Sequence, residues 1–229
     1  MYRIHIYTLF VLVVAAGCLA LYWASRLLAS MGKARQTRIG IVLVGLCALA
    51  IALFHTSLAA SNCLVLALAL IAGMLMSRTI RSIGALKTFL IVASVADLVS
   101  TQLGPTKWFL EQAQNPQHLG QLRGVAILQY LALSIRLKGY LVPVIGFGDL
   151  LFFTVCAFAT SRFGWPRGAV FAAPLAGILA ALGLALVFNR PMPAIPFIAG
   201  AVIGYACAAS LRESLPAQGS VLKPDRCAL

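Results

Sequence analysis

Apolar residues fill seven long stretches of the chain, at roughly 4–28, 38–55, 60–76, 86–103, 139–160, 168–188 and 193–211. A helix of about 20 such residues crosses the hydrocarbon layer of a bilayer. The pattern therefore predicts an all-α, polytopic membrane bundle of about seven transmembrane helices in a single domain, 1–229. The second and third stretches are divided only by His55, Thr56, Ser57, Ser61 and Asn62, and the third is short. The longest hydrophilic connection, 104–138, opens with Gly104-Pro105, which ends the preceding helix. Within it TKWFLEQAQNPQ predicts a short amphipathic turn stopped by Asn115-Pro116. The apolar GVAILQYLALSI that follows is too short to span and predicts an interfacial or re-entrant segment. Residues after Leu215-Pro216, 215–229, read as a mobile tail.

Composition agrees with a bilayer location: 62% of residues are hydrophobic and 10% charged. The net charge of +13 would suggest nucleic acid in a soluble protein. Here the cations cluster between apolar stretches (Arg26, Lys33, Arg35 and Arg38, then Arg78, Arg81 and Lys87), where they meet lipid headgroups instead, so no nucleic-acid partner is expected. With the N-terminus inside, the inner loops would hold Arg3, Lys107, Arg123, Arg136, Lys138 and Arg190, six of the eighteen cations. The bias favours an external N-terminus, provided that 38–76 forms two spans. The six cysteines show no pairing pattern and read as small apolar residues. Residues 1–18 are like a signal peptide, but the apolar run continues to Leu28, which predicts an uncleaved first span.

Against this background two acids stand out. The chain has only five acids, Asp97, Glu111, Asp149, Glu213 and Asp225, and of these Asp97 and Asp149 lie inside apolar stretches while the other three fall in loops or the tail. A carboxylate at membrane depth costs several kcal/mol unless it is neutralised or paired, so it is kept mainly where it acts. Asp97 lies ten residues from Lys87 and Asp149 eleven from Lys138. At helical rise both sit about 15 Å from a cationic flank, near mid-bilayer. Ser94, Asp97 and Thr101 share one helix face. Gly146 and Gly148 precede Asp149 without side chains to block it.

Two carboxyls a few ångströms apart do not both ionise cheaply, so one keeps its proton. The ionised member can activate a water while the protonated one donates to a carbonyl oxygen, the division of labour of an aspartic-protease dyad. Pro191, Pro193 and Pro196 open the last apolar stretch and predict irregular, extended backbone there. Such an edge could hold a substrate strand by main-chain pairing, which peptide hydrolysis requires because a helix hides its carbonyls.

Asp97, then Gly146-Phe147-Gly148-Asp149, then Pro193-Ala194-Ile195-Pro196 resembles the presenilin and signal-peptide-peptidase superfamily of intramembrane aspartyl proteases. That family carries Tyr-Asp, Gly-x-Gly-Asp and Pro-Ala-Leu on successive late helices. The segments ADLVSTQLGPTKWFLEQAQ and GFGDLLFFTV resemble those of presenilins in particular. The resemblance spans roughly 86–211 and implies a catalytic core there. It implies that Asp97 and Asp149 are the catalytic pair and that Gly146, Phe147, Gly148, Pro193, Ala194, Ile195 and Pro196 shape the substrate site. Ala96 stands where the family has tyrosine, and Ile195 where it has leucine; two of the family's nine spans are missing. The implied substrates are single-span membrane proteins or peptides, and the expected location is a prokaryotic plasma membrane. No metal or organic cofactor is implied.

Rival chemistries fit less of the chain. There is no His-Glu-x-x-His and no Gly-x-Ser-x-Gly. A prepilin peptidase would share Gly-x-Gly-Asp only. A proton-coupled transporter also uses paired intramembrane acids and a proline-broken helix, but no inverted repeat relates the two halves. Gly200 and Gly204 form a GxxxG, read as helix packing.

Overall fold

The computed structural model describes residues 2–32, 57–103, 132–137, 140–188 and 192–214, with part of 35–49. Among the described residues, six complete helices and one hairpin follow in the order α1 (Tyr2–Ala29), α2 (Leu58–Ser77), α3 (Ile83–Leu103), β1 (Ala132–Leu137), β2 (Tyr140–Gly146), α4 (Phe147–Arg162), α5 (Arg167–Phe188) and α6 (Ile195–Ser214). Positions 38–40 are also helical. The amphipathic turn expected after Gly104-Pro105 and the tail 215–229 lie outside the described residues.

Local chemistry sets the helix starts. Ser57 caps α2, with extended backbone and its hydroxyl accepting from the Ala60 N–H at 3.5 Å. Ser82 does the same for α3, accepting from Ala85 N–H at 3.1 Å. Four helical stretches are long and apolar enough to cross a membrane: Thr8–Ala29, Leu58–Ser77, Ile83–Thr101 and Arg167–Phe188; Ile195–Leu211 is a shorter apolar helix. On α3 the large residues Ile91, Val92, Val95, Leu98 and Val99 are exposed along one face. Their spacing makes a continuous apolar stripe, which in water would drive association and in a bilayer meets lipid. The protein is an all-α helical membrane bundle.

The core is built around α4, which touches every other described helix and β2. All of Phe153–Thr160 is buried, so this helix is enclosed on every side. Its closest neighbour is α2. There Gly73 lets the backbones approach: a Cβ at that position would fall 2.7 Å from the Thr154 Cβ. A second close approach joins α5 to α6, where a Cβ at Gly177 would run into the backbone of Phe197 and Ile198. Gly200 and Gly204, expected to pack a helix pair, are exposed and have nothing within 4 Å of an added Cβ. The intrachain contacts use other glycines.

The span expected at 139–160 is not one helix. Residues 140–146 form β2, paired antiparallel with β1, and the helix begins only at Phe147. Pro143 has no N–H and would break a helix interior. Val142, Val144 and Ile145 beside it favour a pleated backbone. Register runs Leu133↔Ile145 and then Ser134↔Pro143, so Val144 is bulged out. The apolar segment expected to be interfacial or re-entrant supplies β1 at its C-terminal end.

Candidate active site

Asp149 lies in the first turn of α4, three residues after the N-cap Gly146. Its carboxyl accepts the backbone N–H of Gly146, which is the backward half of a capping box and satisfies one of the helix's orphan donors. A Cβ on Gly146 would come within 3.3 Å of Asp149 Oδ2, tighter than ordinary contact. Glycine here keeps the carboxyl in place. Gly148 has nothing within 4 Å of an added Cβ, so it borders open space instead. Phe147 is half-buried against the core.

Asp97 lies on α3, seven residues after the fully buried Leu90 and hence on the same, inward side. Its carboxyl accepts the backbone N–H of Ile195, the first residue of α6. The need for that bond is local. The N-terminal neighbour Ala194 has no side chain to cap with, although its carbonyl accepts from Phe197 at 3.1 Å and Ile198 at 3.0 Å. Pro196 has no N–H to satisfy. Ile195 is thus the donor left over, and a carboxylate from another helix takes it. The other oxygen, Asp97 Oδ2, is buried with no hydrogen-bond partner among the described residues.

Asp149 lies within Coulombic reach of Asp97, and the thiol of Cys18 on α1 within reach of Asp149. Their heights agree. Arg162, at the end of α4, donates to the Ser77 and Ile80 carbonyls, where α2 turns toward α3. The end of α4 and the start of α3 therefore share one face of the bundle. From that face Asp149 is thirteen residues up α4 and Asp97 fourteen up α3, about 20 Å in each case. Measuring Asp149 from Lys138 by helical rise misjudges its surroundings, because a strand lies between them. Each acid also lies at a helix N-terminus, where the peptide dipoles favour negative charge.

Pro193 and Ala194 are irregular, as their sequence suggests, but Ile195 and Pro196 already belong to the first turn of α6. Proline in a first turn costs no hydrogen bond. The extended segment that adjoins Asp149 is β2, which runs straight into the turn that bears it, whereas the start of α6 adjoins Asp97. Ser94 and Thr101 lie near Asp97 in sequence but bond their own helix: Ser94 Oγ to Leu90 O at 2.7 Å and Thr101 Oγ1 to Asp97 O at 2.9 Å.

Asn62, on α2, stands out for its bonds to the hairpin. Its Nδ2 donates to Ser134 O at 2.8 Å and its Oδ1 accepts Ser134 N–H at 2.9 Å. The Ser134 backbone therefore turns away from β2, and the N–H that its partner Pro143 lacks costs no ladder bond. Ser134 is fully buried, so each main-chain group left bare would cost about 1–3 kcal/mol. In the sequence Asn62 reads only as part of the divide between two apolar stretches; a polar amide next to an apolar run is the signal that could have found it, since such a group needs a partner.

Among the described residues no three His, Cys, Asp or Glu side chains are placed to hold a metal ion. A cavity of about 220 Å³, lined by Tyr22, Arg26, Ser161, Trp165, Arg167 and Val170, contains no carboxyl. Compared with protein-family models, curated proteins and solved structures, the chain matches none.

Proposed function

We propose that the chain is an intramembrane aspartyl protease that hydrolyses peptide bonds in single-span membrane proteins or peptides, in a prokaryotic plasma membrane. The observation that carries this reading is the placement of Asp97 and Asp149 at one height, charge-coupled, each with its carboxyl held by a backbone N–H. The resemblance of Gly146–Asp149 and Pro193–Pro196 to presenilins and signal peptide peptidases supports it.

In this mechanism the pair holds one proton. The ionised carboxyl takes a proton from a water as its oxygen attacks the scissile carbonyl carbon, while the protonated carboxyl donates to the carbonyl oxygen. The resulting gem-diol collapses as the nitrogen is protonated and the C–N bond breaks. The unpartnered Asp97 Oδ2 is available for the shared proton or the water. The scissile bond must be extended to be reached. The outer edge of β2, which ends two residues before Gly148-Asp149, offers main-chain pairing to such a segment.

Reconstitution with a single-span reporter tests the reading. Wild type cleaves it; Asp97→Ala and Asp149→Ala do not. Cleavage that survives either substitution removes the dyad, and proton-driven solute uptake without cleavage establishes a transporter instead.

A further inference from the structure

The carboxamide of Asn62 presents to β1 what a neighbouring strand would present: one acceptor and one donor, both engaged with a single residue, Ser134. It lies 72 positions away in sequence, on the helix that packs most closely against α4. Ser134 is buried at the point where the register shifts, opposite Pro143. A bulge is the weakest place in a two-stranded ladder, because the bulged residue, here Val144, is left unpaired. The clamp falls at that place. Downstream, β2 passes into α4 at Gly146 without a connecting loop, and Asp149 follows three residues later. Movement of the hairpin is therefore transmitted to the carboxyl through continuous backbone and through its bond to the Gly146 N–H.

We propose that Asn62 is a positioning residue: by imitating a strand at the outer edge of β1 it locks the hairpin to α2 and so fixes the turn that carries Asp149. Its catalytic consequence rests on the protease reading; the lock itself does not. Position 62 also closes the β1 edge at Ser134, so that among the described residues the outer edge of β2 is the one with no strand beside it.

The test compares wild type, Asn62→Ala and Asn62→Asp in lipid nanodiscs. Amide hydrogen exchange is followed across 132–137, 140–152 and, as a control, 64–77, alongside cleavage kinetics of a single-span reporter. Asn62→Ala is expected to speed exchange of both hairpin segments about tenfold, to leave 64–77 unchanged, and to lower kcat with little change in KM. Asn62→Asp keeps an acceptor for Ser134 N–H but sets a carboxylate oxygen against the Ser134 carbonyl in place of the amide donor, so it should loosen the hairpin at least as much as Asn62→Ala. Unchanged hairpin exchange in Asn62→Ala overturns the lock. A loosened hairpin with wild-type kcat overturns the positioning role. If wild type cleaves nothing, the protease reading fails, and the exchange at 140–152 decides whether Asn62 holds the Asp149 turn.

Discussion

The carboxyl of Asp97 on α3 holds the backbone N–H of Ile195, the residue that opens α6. One side chain thus serves as the cap of a distant helix and as a member of the acid pair. The two duties separate experimentally. Asp97→Asn keeps an oxygen to accept the Ile195 N–H but cannot act as an acid or ionised base, whereas Asp97→Ala loses both functions. Both should abolish cleavage. Asp97→Ala should lower stability by about 1 kcal/mol, the usual cost of a lost N-cap, and Asp97→Asn by clearly less. Unfolding titrations in mixed detergent measure this; equal stabilities would show that the cap contributes nothing.

Gly146 and Gly148 flank Phe147 but meet different surroundings. Gly146→Ala would put a methyl 3.3 Å from Asp149 Oδ2, displacing the carboxyl while leaving the helix to form. A roughly tenfold or greater loss of kcat is expected with the fold intact, since small misplacements of a reacting group are costly. Gly148→Ala meets nothing within 4 Å and removes a residue of poor helix propensity, so stability should stay the same or rise by up to about 1 kcal/mol. Its methyl enters the open space beside Asp149, so its kinetic effect should be a raised KM. Kinetics with matched thermal melts distinguish the pair.

The apolar runs of α1, α2, α3, α5 and α6 were legible because a bilayer admits few alternatives to a helix of that length. Asp97 and Asp149 stood out because the whole chain has only five acids and these two lie inside apolar stretches. The hairpin was not. Tyr140–Gly146 is as apolar as a helix, and only Pro143 with its β-branched neighbours hints otherwise. Whether it pairs depends on β1 and on Asn62, both remote in sequence. Pro193–Pro196 was expected to be extended throughout, yet two of its four residues lie in a helix. Proline fixes φ at a value common to extended and helical backbone, and a first turn tolerates its missing donor.

Gly177 is where α5 and α6 come closest. Gly177→Ala would drive a methyl into the backbone of Phe197 and Ile198, and main chain cannot rotate away as a side chain can. The expected cost is about 1–3 kcal/mol, typical of overpacking. Separation of the helices moves the start of α6, including Ile195, and should lower activity per folded molecule as well as stability. Ala at Gly200, which meets nothing within 4 Å, is the control and should be neutral in both assays.

Cleavage should depend on pH through the proton count of the pair, because only the singly protonated dyad has both a base for water and an acid for the carbonyl. As pH falls, the remaining carboxylate takes up a proton, no base is left, and the rate drops. As pH rises, the last shared proton leaves, nothing protonates the carbonyl oxygen, and the rate drops again. The profile of kcat against pH in vesicles should therefore be bell-shaped, with both limbs belonging to the pair as a unit. Asp97→Asn and Asp149→Asn should each flatten the bell to background, not shift it, since neither single carboxyl can hold both roles. A profile that rises through one ionisation to a plateau would mean that only one of the two acids takes part.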